Sequence, residues 1–370
     1  MKSEFLIPPG FKDHVSFDAY IEHEYKNNII KFFRLNGFDL VKTPLIDFAD
    51  NSNKNNFLIA YKKNEESLKI RNDITPQIIR IASSRLLNKS RPLKLCYYGE
   101  VVRKNGTMLR PERQFLQVGA ETIGSKKIEA DIEIINLAYK SLSEIGIKEI
   151  TLEFSSKKFL NKFFKKINHS KLEKKLIELI KIKDLNNCLK LLKTQKDKNL
   201  LLNIFKCTGE LKTIKTLLDK LKIDEETTNE VNNLKKLVSR IELSKVDRIN
   251  IDLSELDEKN YHDGIKFTFF AKNVRGEVAS GGRYTIKNKN NNETATGFTC
   301  FMDTVLRASS FENVAKKILL PFNTEKKIKN NLIKKGFVLF SIFQESSDMK
   351  RDAKKFNCNY FLKNKLINKI

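Results

Sequence analysis

The chain has 370 residues, 40% of them hydrophobic, and a formal net charge of +25, a length that predicts two or three domains around a substantial buried interior. No apolar run reaches the roughly 18 residues a membrane-spanning helix needs, and the opening MKSEFLIPPGFKDH has too short an apolar patch for a secretory signal. Five scattered cysteines and four histidines form no CxxC or HExxH pattern, so neither a metal site nor a disulfide framework is expected, and a reducing cytoplasm is the expected location.

In chain order, Tyr20, Ile21, Ile29, Ile30, Phe32 and Phe33 stand at helical spacing ahead of a stop at Asn36-Gly37. FDLVKTPLIDF then reads as extended, because Pro44 denies a helix. LKLCYYGEVV (93–102) and RQFLQVGAETIG (113–124) are strand-like runs on either side of a loop holding Gly106 and Pro111. EADIEIINLAYKSLSEIG (129–146) is a helix closed by glycine. Texture changes at 156–250, where Leu211, Ile214, Leu217, Leu218 and Leu221 mark one helical face and Val231, Leu234, Leu237, Val238 and Ile241 another. Strand texture returns in IKFTFFA, passes through SGGRY and ends in a helix near 301–309. KILLPF, FVLFSIF and NYFLK, separated by helical stretches, give a closing βαβαβ rhythm. The expected divisions are therefore 1–155, a helical insertion 156–250, a second core segment 251–312 and a small basic domain 313–370.

The positive charge is uneven. Residues 156–250 carry 24 Lys/Arg against 12 Asp/Glu, and 311–370 carry 14 against 5. Only 14 of the basic residues in the chain are arginine, the side chain suited to bidentate phosphate recognition. A Lys/Asn/Ile-rich composition also follows from an A+T-rich coding sequence. A solvated lysine surface and a polyanion site both fit this pattern; the scarcity of arginine favours the first, and nucleic acid is not expected as a partner.

Several residues are candidates for binding. Gln117 and Glu121 are four apart on a strand and so face one side. Asp73 precedes Thr75-Pro76, where it could cap a helix as well as hold a ligand. Gly281-Gly282 alone would be read as a turn, and Arg103 alone fits a surface arginine and a binding residue equally.

Together, in order, these segments carry a resemblance. RPLKLCYYGEVVRKNGTMLRPERQFLQVGAETIG (91–124) is similar to motif 2 of histidyl-tRNA synthetases, and IRNDITPQIIR (70–80) resembles their ammonium-gripping loop. YHDGIKFTFFA (261–271) with ASGGRY (279–284) resembles the histidine-recognition segment, and GFTCFMDTVLRA (297–308) stands where motif 3 should lie. PPGFKDH and the region of Pro44 fit the N-terminal segment and motif 1. The resemblance covers most of 5–155 and 255–310. It implies an α+β fold: a class II aminoacyl-tRNA synthetase-like antiparallel sheet flanked by helices, with a helical insertion and a small C-terminal α/β appendage.

Residue by residue, the resemblance implies a histidine site of Asp73, Thr75, Arg103, Gln117, Glu121, Tyr261 and Tyr284, with His262 where the family has a second tyrosine. Carboxylates suit an ammonium and an imidazolium, and arginine suits a carboxylate. The nucleotide side departs from the family: Asn105 replaces a glutamate, Pro111 a loop arginine, Asp303-Thr304 a Glu-Arg pair, and Asp257 the arginine of an RGLDY run. Loss of these cations argues against adenylate chemistry, so no catalytic residue and no cofactor is expected. A histidine pocket without ATP chemistry resembles the regulatory subunits of ATP phosphoribosyltransferase. That resemblance implies a hetero-oligomer with a short-form catalytic subunit, a self-dimer within it, and free histidine as feedback ligand. An active histidyl-tRNA synthetase and a tRNA-binding paralogue are the alternatives.

Overall fold

The computed structural model describes residues 6–49, 57–59, 67–167, 170–244, 247–256, 262–287, 292–309 and 316–370. Tyr261 and Asp257 lie outside the described residues. The chain divides into two compact units, 1–310 and 311–370.

The first unit opens with helix α1 (Phe17–Leu35), ended by Gly37 at φ +85°. Short strands β1 (Asp39–Val41), β2 (Ile46–Phe48), β3 (Phe57–Ile59) and β4 (Leu68–Ile70) follow, then α2 (Thr75–Ala82). Long strands β5 (Leu93–Val102) and β6 (Gln114–Ile123) pair antiparallel, and α3 (Ile128–Glu144) leads to β7 (Ile150–Ser155). Next come α4 (Lys158–Ile167), α5 (Ser170–Lys181), α6 (Leu185–Leu191), α7 (Gln195–Lys206), β8 (Thr208–Glu210), α8 (Leu211–Ile214), a 3-10 turn (Leu218–Leu221) and α9 (Glu225–Arg240). Strands β9 (Arg248–Asp252), β10 (Lys266–Ala271), β11 (Ala279–Lys287) and β12 (Asn292–Phe301) complete the sheet, and α10 (Met302–Ala308) closes the unit.

Nine strands form one sheet in the order β1-β5-β6-β12-β11-β10-β7-β9-β8. Its middle is antiparallel; β1 on β5 and β7 on β9 are parallel. This is the α+β architecture expected from the sequence, a largely antiparallel sheet flanked by helices. One sheet face is apolar and buries Ile29 and Phe33 of α1 and Ile134, Ala138 and Leu142 of α3. Phe159 and Phe163 of α4 and Val231, Leu234 and Leu237 of α9 join that same core. The helices of 156–250 thus share the core of the sheet, and two short strands, β8 and β9, extend its edge. Leu211–Leu221 is not one helix: α8 ends at Ile214 and the apolar positions continue on the 3-10 turn. The opposite face carries the polar cluster described below, backed by a smaller core of Ile74, Ile78, Leu95, Tyr97, Phe115 and Ile286.

In the second unit, β13 (Lys316–Leu320), α11 (Lys326–Lys334), β14 (Phe337–Ser341), α12 (Met349–Lys355), β15 (Tyr360–Lys363) and β16 (Leu366–Lys369) make a four-stranded sheet of order β14-β13-β15-β16. Parallel pairing of β13 with both β14 and β15 matches the βαβαβ pattern, with β16 added antiparallel. Among the described residues no helix is long and apolar enough to cross a membrane.

Candidate functional site

Period-two alternation on β6 puts Gln117, Gly119 and Glu121 on one face, and the pairing register extends that face sideways. Glu121 stands opposite Gly297 of β12, which stands opposite Gly282 of β11. The two glycines leave the sheet bare beside Glu121. A Cβ at Gly297 would lie 1.6 Å from Glu121 Oε2, and one at Gly282 would lie 2.6 Å from His262 Cδ2. The Glu121 carboxyl thus lies on the backbone of Gly297, and the His262 imidazole packs on Gly282.

Hydroxyl groups converge on Glu121. Thr75 Oγ1 donates to Oε1 at 3.1 Å and Tyr284 Oη donates to Oε2 at 3.0 Å. Behind Thr75 stands Tyr97, whose Oη lies 3.1 Å from Thr75 Oγ1 and 2.7 Å from Thr299 Oγ1. Each hydroxyl has one proton. With the Thr75 proton committed to Glu121, Tyr97 donates to Thr75 and Thr299 donates to Tyr97. The chain Thr299–Tyr97–Thr75–Glu121 therefore has a direction, and it ends on the Glu121 carboxyl. Glu121 is 2% exposed. Burial pushes its carboxyl up to about 8, against the lowering effect of the Tyr284 and Thr75 hydrogen bonds, and the Asp73 charge adds to the rise. Burial, then the negative charges of Glu121 and Asp73, likewise raises Tyr97 well above the ordinary tyrosine value.

Asp73, Arg103 and Gln117 complete the cluster. Gln117 Oε1 accepts from the Ile74 N–H at 3.2 Å, tying the turn before α2 to the floor. Asp73 Oδ1 accepts from the adjacent Ile74 N–H at 2.9 Å, and helix α2 has no side-chain cap. Asp73 is thus not the helix cap its sequence position allowed. It acts instead on the charges of the site, raising Glu121 and favouring the charged form of Arg103. Arg103 stacks on Phe115 at 4.7 Å from the ring centroid, and burial, then the neighbouring Arg110, lowers its pKa. The described members of the expected set, Asp73, Thr75, Arg103, Gln117, Glu121 and Tyr284, are brought together; Tyr261 lies outside the described residues.

The rest of the IRNDITPQIIR segment has a different task. Arg71, 5% exposed, donates to the Glu100 carbonyl at 2.7 Å, the Thr43 carbonyl at 3.0 Å and Thr43 Oγ1 at 2.7 Å. Gln77 donates to the Pro44 carbonyl and Asp47, and Arg80 pairs with Asp47 at 2.8 Å. These three side chains clamp the 43–47 segment to α2 and to β5. Gly99 makes room, since a Cβ there would lie 1.9 Å from the Arg71 guanidinium.

Sequence reasoning missed Tyr97, Thr299 and Arg110. The first two stand opposite Gly119 on β5 and β12, so alternation from Glu121 reaches them once the strand register is known. Arg110 is less accessible to that argument. It is 2% exposed, donates to both oxygens of Asp303 at 3.1 and 2.9 Å, and reaches Glu277 at 3.0 Å. Its guanidinium lies 3.9 Å from the Phe301 centroid and 4.5 Å from that of Phe115. The acid at 303 is therefore neutralised from the β5–β6 loop, and Thr304 beside it is fully buried. Among the described residues no group of His, Cys, Asp and Glu side chains could hold a metal ion.

A family model described as histidyl-tRNA synthetase matches residues 10–305. An ATP phosphoribosyltransferase regulatory subunit of Rhodospirillum centenum is 29% identical over 96% of this chain and 94% of its own length. One of Clostridium novyi is 30% identical over 83% of this chain and 77% of its own. The crystal structure of an ATP phosphoribosyltransferase regulatory subunit/histidyl-tRNA synthetase from Bacillus halodurans C superposes with a TM-score of 0.77 at 21% identity, covering 95% of this chain and 96% of that one. A histidyl-tRNA synthetase from Nostoc sp. PCC 7120 gives 0.77 at 17% identity, over 98% and 92%. A synthetase-like sheet, the ordered motifs and these relatives place the chain in the histidyl-tRNA synthetase family, among the ATP phosphoribosyltransferase regulatory subunits.

Proposed function

We propose that this chain is the non-catalytic regulatory subunit of an ATP phosphoribosyltransferase, needed for the first step of histidine biosynthesis, and that the Glu121 cluster is its histidine sensor. The observation that carries the sensor is the buried Glu121 carboxyl with two hydroxyls fixed on it over a glycine floor. A buried carboxyl held near 8 stabilises a cation strongly once one arrives, because the ion pair forms where water cannot compete. Imidazolium fits that charge. Asp73 would take the ammonium group and Arg103 the carboxylate of the amino acid. Tyr261 belongs to the proposed set through its place in the motif.

The reading of the chain as lacking adenylation chemistry has support in Arg110. This guanidinium is already matched by Asp303 and Glu277, so it is not an open phosphate-binding cation. Pro111 and Thr304 supply no charge. The partner is a short-form catalytic subunit, which this chain activates, with a self-dimer inside the assembly and a cytoplasmic location.

The test mixes the full chain with the short-form catalytic subunit. Activity should rise on mixing and fall again with added histidine, while the chain alone shows no histidine-dependent ATP–pyrophosphate exchange. Robust exchange by the chain alone would establish the synthetase reading in its place.

A further inference from the structure

On the sheet face that carries the polar cluster, four glycines of β5, β6, β12 and β11 each lie beneath a side chain from elsewhere. A Cβ at Gly99 would meet the Arg71 guanidinium, one at Gly119 the Tyr97 ring, one at Gly297 the Glu121 carboxyl and one at Gly282 the His262 ring. Three of these covers are fixed. Arg71, Tyr97 and Glu121 are buried, and the hydrogen bonds described above hold each of them. His262 is the one of the four that is only half-buried. Gly282 and Gly297 are direct partners across β11 and β12. The His262 ring and the Glu121 carboxyl therefore stand on glycines one strand spacing apart, about 4.8 Å.

The ring can leave this position while the backbone stays in place. The Asp263 N–H donates to the Arg283 carbonyl at 2.9 Å, and the Arg283 N–H donates to the Ile265 carbonyl at 3.3 Å. These bonds hold the segment after His262 against β11. Opening is then a rotation about χ1 from one staggered well to another, a fast motion for a side chain open to solvent on one side.

The covering group is an imidazole, the same ring that the sensor is read to bind. We propose that His262 is a built-in competitor for the histidine sensor: its ring holds the seat over Gly282 that the imidazole of free histidine takes, and histidine binds by displacing it. This rests on the reading of the Glu121 cluster as the sensor and adds what sets its threshold. A planar ring on bare backbone beside a carboxyl suits either imidazole, since the two have the same shape and the same ring nitrogens. The competitor is tethered, so its effective concentration is fixed by the fold. A cover closed about nine-tenths of the time lowers the apparent affinity about tenfold. Glu121, Thr75 and Tyr284 still read the ligand; His262 sets the histidine level at which they begin to do so.

The experiment is calorimetry on the full chain and on His262→Ala, with histidine and with imidazole alone as probes. The variant should bind histidine about fivefold to twentyfold more tightly than the parent, the range for removing a mostly closed cover. Imidazole should gain by a similar factor, because the seat it fits is no longer taken. NMR of the parent gives a second reading that needs no variant and has only four histidines to assign. The contact between the His262 ring protons and the Gly282 α-protons should be lost on saturation with histidine. Should the variant fail to fold, this contact decides alone, and its persistence in the saturated protein overturns the proposal. Weaker histidine binding by His262→Ala makes His262 a ligand contact and also overturns it, as does unchanged affinity for both probes; each leaves the sensor reading in place. If neither parent nor variant binds histidine, the sensor reading falls and the proposal with it.

Discussion

With its carboxyl held near 8, Glu121 carries a proton at pH 7 that the unfolded chain, at an ordinary glutamate value of about 4.3, has given up. The sign follows from proton counting. The folded state binds more protons between the two values, so stability is fully present below about pH 4.3 and is lost as pH rises through 8. Glu121→Gln keeps the shape and removes the titration. Chemical denaturation of the ligand-free protein should therefore show the parent losing stability from pH 6 to 8.5 relative to this variant; parallel curves would mean an ionised Glu121. Bound imidazole and Glu121 together would hold one proton. Histidine binding should then take up a proton near pH 9, exchange almost none near 7 and release one near 5, as calorimetry in buffers of different ionisation heat would read. Losing a hydrogen bond to a charged group costs about 1.5–3 kcal/mol, so Glu121→Gln should weaken histidine binding by roughly tenfold to a hundredfold. Gly297→Ala is the harsher change. Its Cβ would lie 1.6 Å from Oε2 and 2.3 Å from Cδ of Glu121, forcing the carboxyl off Tyr284, and binding should fall by more than in Tyr284→Phe.

Elements, not single side chains, decide where that carboxyl sits. Arg71 ties β5 and the 43–47 segment to the turn before α2, spending its donors on the Glu100, Thr43 and Pro44 carbonyls. Arg71→Ala leaves those acceptors unpaired and should cost about 2–4 kcal/mol in equilibrium unfolding, in line with removing one partner of a buried network. Gly99→Ala, whose Cβ would meet the same guanidinium, should give a similar loss; near-parent stability in both would remove Arg71 from this role. Strands β5, β6 and β10, and helices α1 and α3, are legible in the sequence because their apolar runs are long, and Gly37, Gly124 and Gly146 mark the ends of α1, β6 and α3. The site is legible where motif and alternation agree, as at Gln117, Glu121 and Tyr284. Strand β8 is not, since Thr208–Glu210 is too short to show a period and forms only because β9 offers an edge. The clamp on 43–47 is equally silent, because Arg71 and Gln77 look like members of a ligand motif until their partners nearly 30 residues away are seen. Arg110 and Asp303 lie 193 positions apart, and no local pattern joins them.

Across the whole molecule, one chain that senses and another that catalyses must exchange free energy through their contact. If histidine changes the affinity of this chain for the catalytic subunit by some factor, the catalytic subunit changes histidine affinity by the same factor. A coupling of 1–3 kcal/mol would make that factor about 5–150, ample for feedback. On the proposed reading, Arg103 of the histidine site shares the Phe115 ring with Arg110, which joins the β5–β6 loop to Asp303. Direct measurement closes the cycle: histidine affinity of the chain alone, histidine affinity of the complex, and subunit affinity with and without histidine. The two ratios should agree. Glu121→Gln should retain activation of the catalytic subunit while losing much of the inhibition, because its side chain is buried away from any contact with a partner. If histidine inhibits the variant complex as strongly as the parent, the sensing site lies outside the Glu121 cluster, and the buried carboxyl serves the fold alone.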